Sequence, residues 1–150
     1  MFSVLRTDSS HPHFGMLVSQ LNAYLSVVNG EKDAFYSQYN QIDVLKNVIL
    51  VYNEDMPVGC GAVKEAAPGV MEVKRMFTLP AFRGTGVATR VLLELEQWSA
   101  ELGNRKCILE TGRFMPDAVA LYSNRGYRQI PNYGPYADAK DSICFEKEIQ

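Results

Sequence analysis

The chain has 150 residues, 47% hydrophobic and 21% charged, with a formal net charge of −2. This suits one compact domain with a real core and excludes a disordered chain. A pI near 5.7 argues against a nucleic-acid partner held by a broad basic face, and the apolar runs are too short for a transmembrane helix.

Residues 2–6 alternate weakly and predict a first strand. The opening MFSVLRTDSSHPHF carries Arg6 and Asp8 early and lacks an apolar signal core, so a cytoplasmic protein is expected. His11 and His13 have no third metal ligand in view; the stretch reads as a loop leading into a helix, and no metal is expected. From His13, the positions Phe14, Leu17, Val18, Leu21, Leu25 and Val28 form a helical stripe that Asn29-Gly30 ends. A shorter helix is expected over 32–40. NVILVYNEDMPVGCGAVKE reads as strand, turn, strand, and PGVMEVKRMFTL as a turn and a longer strand closed by Pro80.

The best-defined helix follows, with Val87, Val91, Leu95, Trp98 and Leu102 at steps of four and three and Gly103 at its end. KCILET is a strand and MPDAVALYSNRG a helix with Pro116 in its first turn. YRQI begins a strand, PNYGPYADAKD is a long loop, and SICFEKEI closes the chain as a strand. The order is β, α, α, three strands, α, β, α, two strands, which predicts an α/β domain on a single mixed sheet, spanning residues 1–150. Cys60, Cys107 and Cys144 are odd in number and widely spaced, with no CxxC; buried reduced thiols are expected, with a reactive thiol as the alternative.

The turn before the best-defined helix reads RGTGVAT. The first amides of a helix lack internal partners and its start carries partial positive charge, which together make an anion site. Gly84 and Gly86 remove side chains that would keep an anion off, Arg83 places a cation beside it, and Thr89 offers a hydroxyl. A phosphate or diphosphate is the expected ligand. GxxxxGK[ST] is absent, because no Lys-Ser or Lys-Thr follows the second glycine. The dinucleotide fingerprint GxGxxG is nearly met by GTGVAT, with Glu110 about where a ribose-binding acid would stand, but LPAF separates strand and glycine and little chain follows. A tight turn with no ligand is the structural alternative.

RGTGVA also fits [Q/R]-x-x-G-x-[G/A], with Arg83, Gly86 and Ala88 on the defining positions, and AVALYSNRGY fits A-x-x-x-Y-x-x-x-G-[FY] through Ala118, Tyr122, Gly126 and Tyr127. With both segments at matching spacing, residues 58–130 resemble the GNAT superfamily of acetyl-CoA-dependent N-acetyltransferases. The resemblance implies a mostly antiparallel sheet with splayed central strands. It further implies acetyl-CoA as co-substrate, with the thiol arm along Met76, Phe77 and Thr78 and the diphosphate on the amides of Arg83, Gly84, Thr85, Gly86, Val87, Ala88 and Thr89. Where the family often carries Asn, this chain has Met115.

Acetyl transfer to an amine needs a neutral amine, a polarised thioester and a proton for the leaving thiolate. The resemblance points the Tyr122 hydroxyl at the sulfur as acid. For the base, Glu72 comes first, sharing a face with Lys74 and Met76 if the strand is regular, and Glu110 is the reserve. The implied acceptor is the primary amine of a small molecule or peptide, entering past Phe35, Tyr36, Tyr39, Tyr133 and Tyr136 with Asp33, Asp138 and Asp141 nearby; aromatics and carboxylates suit a cationic amine. An acyl-CoA sensor without turnover is the alternative. The resemblance allows a homodimer, which the residues do not address.

Overall fold

The computed structural model describes residues 1–32, 35, 36 and 44–150. The helix expected over 32–40 falls mostly outside them, as do Asp33 and Tyr39. Seven strands are present: β1 (Phe2–Thr7), β2 (Asn47–Asn53), β3 (Met56–Ala67), β4 (Val70–Thr78), β5 (Lys106–Gly112), β6 (Arg128–Ile130) and β7 (Ser142–Glu148). Three helices are described: α1 (Pro12–Asn29), α2 (Val87–Glu101) and α3 (Pro116–Asn124). The strands form one sheet in the order β1-β2-β3-β4-β5-β7-β6. Two compact units divide the chain, Met1–Val63 with Arg75–Leu95, and Lys64–Lys74 with Glu96–Gln150.

In the first unit β1 pairs antiparallel with β2, from Phe2↔Asn53 to Thr7↔Val48, and β2 antiparallel with β3. Val48 to Val51 are all fully buried, so β2 is covered on both faces. Against it α1 turns Phe14, Leu17, Val18 and Leu21, the stripe seen in the sequence, into a core shared with Leu45, Cys60, Ala62 and Phe77. The HPH stretch starts this helix: His11 Nδ1 accepts the His13 amide at 3.1 Å, with Pro12 in the first turn. A 2.7 Å hydrogen bond then ties His13 Nδ1 to the Tyr52 hydroxyl. Among the described residues no group of three or more His, Cys, Asp or Glu could hold a metal ion. The start of α2 packs closely on β3, because a Cβ at Gly61 would stand 2.7 Å from Val91 Cγ1 and 2.6 Å from Met76 Sδ. Only the bare glycine backbone permits that approach.

In the second unit β4 pairs parallel with β5 over Val70↔Lys106, Met71↔Cys107 and Glu72↔Ile108. That register ends at Glu72 although β5 continues to Gly112. β5 pairs antiparallel with β7 along its whole length, and β7 with β6. On α3 Tyr122 packs its ring 5.7 Å from Tyr127 and 6.2 Å from Phe145. The polar half of α2 breaks the simple stripe. Glu96 is buried, accepting the Tyr127 hydroxyl and the Lys147 ammonium, each at 2.8 Å, whereas Leu102 is exposed.

The three cysteines are free and buried. Burial pushes the Cys60 thiol up to about 12 and Cys107 to about 11, and raises Cys144. Such thiols carry little thiolate, as the inert reading expects. The dinucleotide alternative does not fit: that fold needs a parallel sheet, and of the described registers only β4 with β5 is parallel.

Candidate active site

In the first unit the phosphate-loop residues follow β4 through a tight turn. The Leu79 amide bonds Val58 O at 2.9 Å, and a 3-10 turn over Pro80–Phe82 leads into the glycines. Gly84 and Gly86 sit at φ 77° and 89°, where a side chain is strained, and a Cβ built on either meets nothing within 4 Å. Their outer face is therefore open. The first hydrogen bond of α2 runs from Arg90 N to Gly86 O at 3.0 Å. The amides from Gly84 to Thr89 have no acceptor among the described residues. Val87 differs from its neighbours in having a buried side chain.

One amide of the expected donor set, that of Arg83, is engaged within the turn. The Arg83 amide already donates to Pro80 O at 3.3 Å, so Arg83 offers its guanidinium and not its N–H. The Thr85 hydroxyl donates to Phe82 O and serves to hold the turn. A residue that the sequence reading passed over also enters: Tyr24 on α1 lies under the Arg83 guanidinium, 5.0 Å from its ring centroid. This cation–π contact limits where the charge can point. Of the thiol-arm residues, Phe77 turns its side chain into the core and Met76 lies against the Gly61 side of β3. What Phe77 can offer a ligand is therefore backbone.

β4 is not a regular strand. Arg75, a non-glycine, takes φ 61°. Its guanidinium donates to Asn22 Oδ1 at 2.8 Å and its carbonyl accepts the Cys60 thiol at 3.3 Å. Burial nevertheless alternates along β4 from Met71 to Thr78, with Glu72, Lys74 and Met76 all half-buried, as the expectation of a shared face has it. Glu72 and Lys74 do come together, Nζ to Oε1 at 3.9 Å.

The second unit gathers the three proton-transfer candidates. Glu72 Oε2 accepts the Tyr133 hydroxyl at 2.7 Å, and Glu110 Oε2 accepts the Ser142 hydroxyl at 2.6 Å. Burial raises the Glu110 carboxyl above the ordinary carboxylate range; the Ser142 hydrogen bond opposes this, the Glu72 charge adds to it and Lys74 offsets part. Tyr122 is only 6% exposed, and its phenol is raised by burial and then by the Glu110 charge. Among the described residues its hydroxyl has no hydrogen-bond partner. The hydroxyl is not one of the fully buried side-chain atoms left without a bond; it keeps contact with solvent and is available to something outside the protein. Of the expected acceptor-lining residues, Tyr133 and Tyr136 stand edge to face at 6.2 Å, and Phe35 and Tyr36 at 5.0 Å. Met115 precedes α3 and its side chain makes no cap hydrogen bond.

The raised Glu110 has a consequence for stability. A carboxyl with a higher pKa folded than unfolded contributes stability below the ordinary carboxylate range and loses it as pH rises through the raised value. At neutral pH an ionised Glu110 weakens the fold. Glu110→Gln is expected to raise Tm at pH 7 and to leave it unchanged at pH 4. Thermal melts at both pH values check this, and an unchanged or lower Tm at pH 7 contradicts it.

The profile of the acetyltransferase (GNAT) family matches residues 17–127. The chain is 36% identical over 93 residues to an IAA acetyltransferase of Azospirillum brasilense, a match covering 61% of each protein. Among solved structures, an acyl-CoA N-acyltransferase assignment from Klebsiella pneumoniae is similar with TM-score 0.84 and 24% identity, over 100% of this chain and 99% of that one. The PaiA N-acetyltransferase of Thermoplasma acidophilum, solved with coenzyme A, is similar with TM-score 0.71 and 16% identity, over 99% of both chains. No helix among the described residues is long and apolar enough to cross a membrane.

Proposed function

The chain belongs to the acetyltransferase (GNAT) family, and on that premise we propose that residues 1–150 act as one domain moving an acetyl group from acetyl-CoA to a primary amine of a small molecule or peptide. The observation that carries the reading is the run of unpartnered amides from Gly84 to Thr89 at the start of α2, opened by two glycines at positive φ. Such a run fits a diphosphate, and Arg83, steadied by Tyr24, adds the countercharge. The backbone of Met76, Phe77 and Thr78 serves the pantetheine arm as an added strand would.

Bound acetyl-CoA supplies the activated acyl group. The chain's residues then have proton work only. Tyr122 gives its hydroxyl proton to the departing thiolate, a role supported by a phenol with no described partner. The acidic pair takes the proton from the attacking nitrogen. Glu110 is the better supported acceptor: Glu72 accepts from Tyr133 and lies beside the Lys74 cation, whereas Glu110 accepts from Ser142 and burial raises its carboxyl, which suits a base. This reverses the order expected from strand position.

Isothermal titration with acetyl-CoA, followed by thiol release with a panel of primary amines, tests the reading. Binding and amine-dependent release are expected. Absence of binding removes the cofactor assignment, and binding without release to any amine leaves an acyl-CoA sensor.

A further inference from the structure

The acidic pair is held by a residue to which neither motif assigns a role. Tyr133 lies in the loop between β6 and β7, and that loop is stapled to itself. The Asn132 side-chain amide donates to Ala139 O and Ser142 O, both at 3.0 Å, and Tyr136 N donates to Tyr133 O at 3.0 Å. The Tyr136 ring stands perpendicular to that of Tyr133. Tyr133 therefore reaches Glu72 from a fixed support, across 61 residues of sequence, and little rotamer freedom remains to be lost.

We propose that Tyr133 is a positioning residue of the proton-accepting pair, its hydroxyl anchoring the Glu72 carboxylate beside Glu110. The inference rests on the acetyl-transfer reading above. The titratable and charged groups facing the pair are Lys74 from β4, Tyr122 from α3, Cys144 from β7 and Tyr133 from the loop. Two neighbouring carboxylates resist ionising together. The hydroxyl donated to Glu72 disfavours the state in which Glu72 holds the proton and so directs it to Glu110. Removing it makes the first protonation easier, and that step belongs to the pair and not to one residue. The doubly ionised form is the one able to take a proton from the amine.

Tyr133→Phe keeps the ring and removes the donor. The acid limb of kcat/KM is expected to move to higher pH by a fraction of the roughly one unit that a whole hydrogen bond to a charged group is worth, because the first proton is shared with Glu110. An isotope-labelled carboxyl NMR titration of the protein without ligands is expected to show the same upward move in the first midpoint of Glu72 and Glu110. In a Glu72→Gln background Tyr133→Phe is expected to add no shift, because its partner charge is gone. A midpoint that stays in place, or a shift that persists in that background, overturns the proposal. If the wild-type chain releases no thiol with any amine, the acetyl-transfer reading fails by itself, and the NMR midpoint still decides for or against Tyr133.

Discussion

Tyr122→Phe is expected to lower kcat by about 10²–10⁴-fold, the range a positioned general acid contributes, with the KM for acetyl-CoA nearly unchanged. The substitution removes one oxygen and keeps the ring. The ring carries the packing, against Tyr127 and Phe145, so the fold should persist. The hydroxyl has no described partner to lose, so deleting it costs the fold little. Tm is therefore expected to hold while turnover collapses. That opposition separates the acid from a merely structural tyrosine, whose loss would move stability and rate together. The burial that raises this phenol also suits it to a thiolate, since a general acid should stay protonated until the leaving group needs the proton. Steady-state kinetics over acetyl-CoA concentration, with melts of both proteins, check it; an unchanged kcat assigns the proton to another donor.

Gly86→Val is expected to weaken acetyl-CoA binding by about 100-fold, measured as Kd by isothermal titration. At φ 89° a β-branched residue is strongly disfavoured, so the backbone must turn toward negative φ or carry the strain. Turning it re-aims the neighbouring amides. Two charge-assisted hydrogen bonds lost at about 1.5 kcal/mol each come to about 3 kcal/mol, close to the roughly 2.8 kcal/mol that a hundredfold requires. A Cβ there meets no protein atom within 4 Å, so the loss does not come from an internal clash. The defect should be confined to binding: at saturating acetyl-CoA, kcat is expected to approach that of the parent chain. Arg83→Ala provides a second measure on the same ligand without a backbone change, and should weaken binding and reduce its salt dependence. Undiminished affinity in both variants would place the diphosphate elsewhere.

The order of elements, the α1 stripe and the glycine turn before α2 were all legible in the chain. Each is a local matter: periodicity, a breaker or a turn depends on residues a few positions apart. The two family motifs were legible for the same reason, and they brought Tyr122, Glu72 and Glu110 into consideration. Tyr24 under Arg83, Tyr133 on Glu72 and Ser142 on Glu110 left no such trace. Nothing in YGPY announces that its first tyrosine will reach a glutamate two strands earlier in the chain. Glu96 was hidden by its own helix, where a charge between apolar positions reads as solvated; its burial depends on Tyr127 and Lys147 arriving from elsewhere.

Arg75 marks the boundary most plainly. Its neighbours spell a strand, yet it takes a left-handed backbone that costs a non-glycine residue about 1–2 kcal/mol. Bonds to Asn22 and Cys60, distant in sequence, hold it there. The chain alone determined which segments would be strand or helix and where an anion could approach a helix start, because short-range sterics and unpaired amides decide both. Which carboxylate is raised, which hydroxyl lacks a partner and which cation is steadied were decided only by tertiary packing, because burial and charge proximity are properties of residues that meet through space.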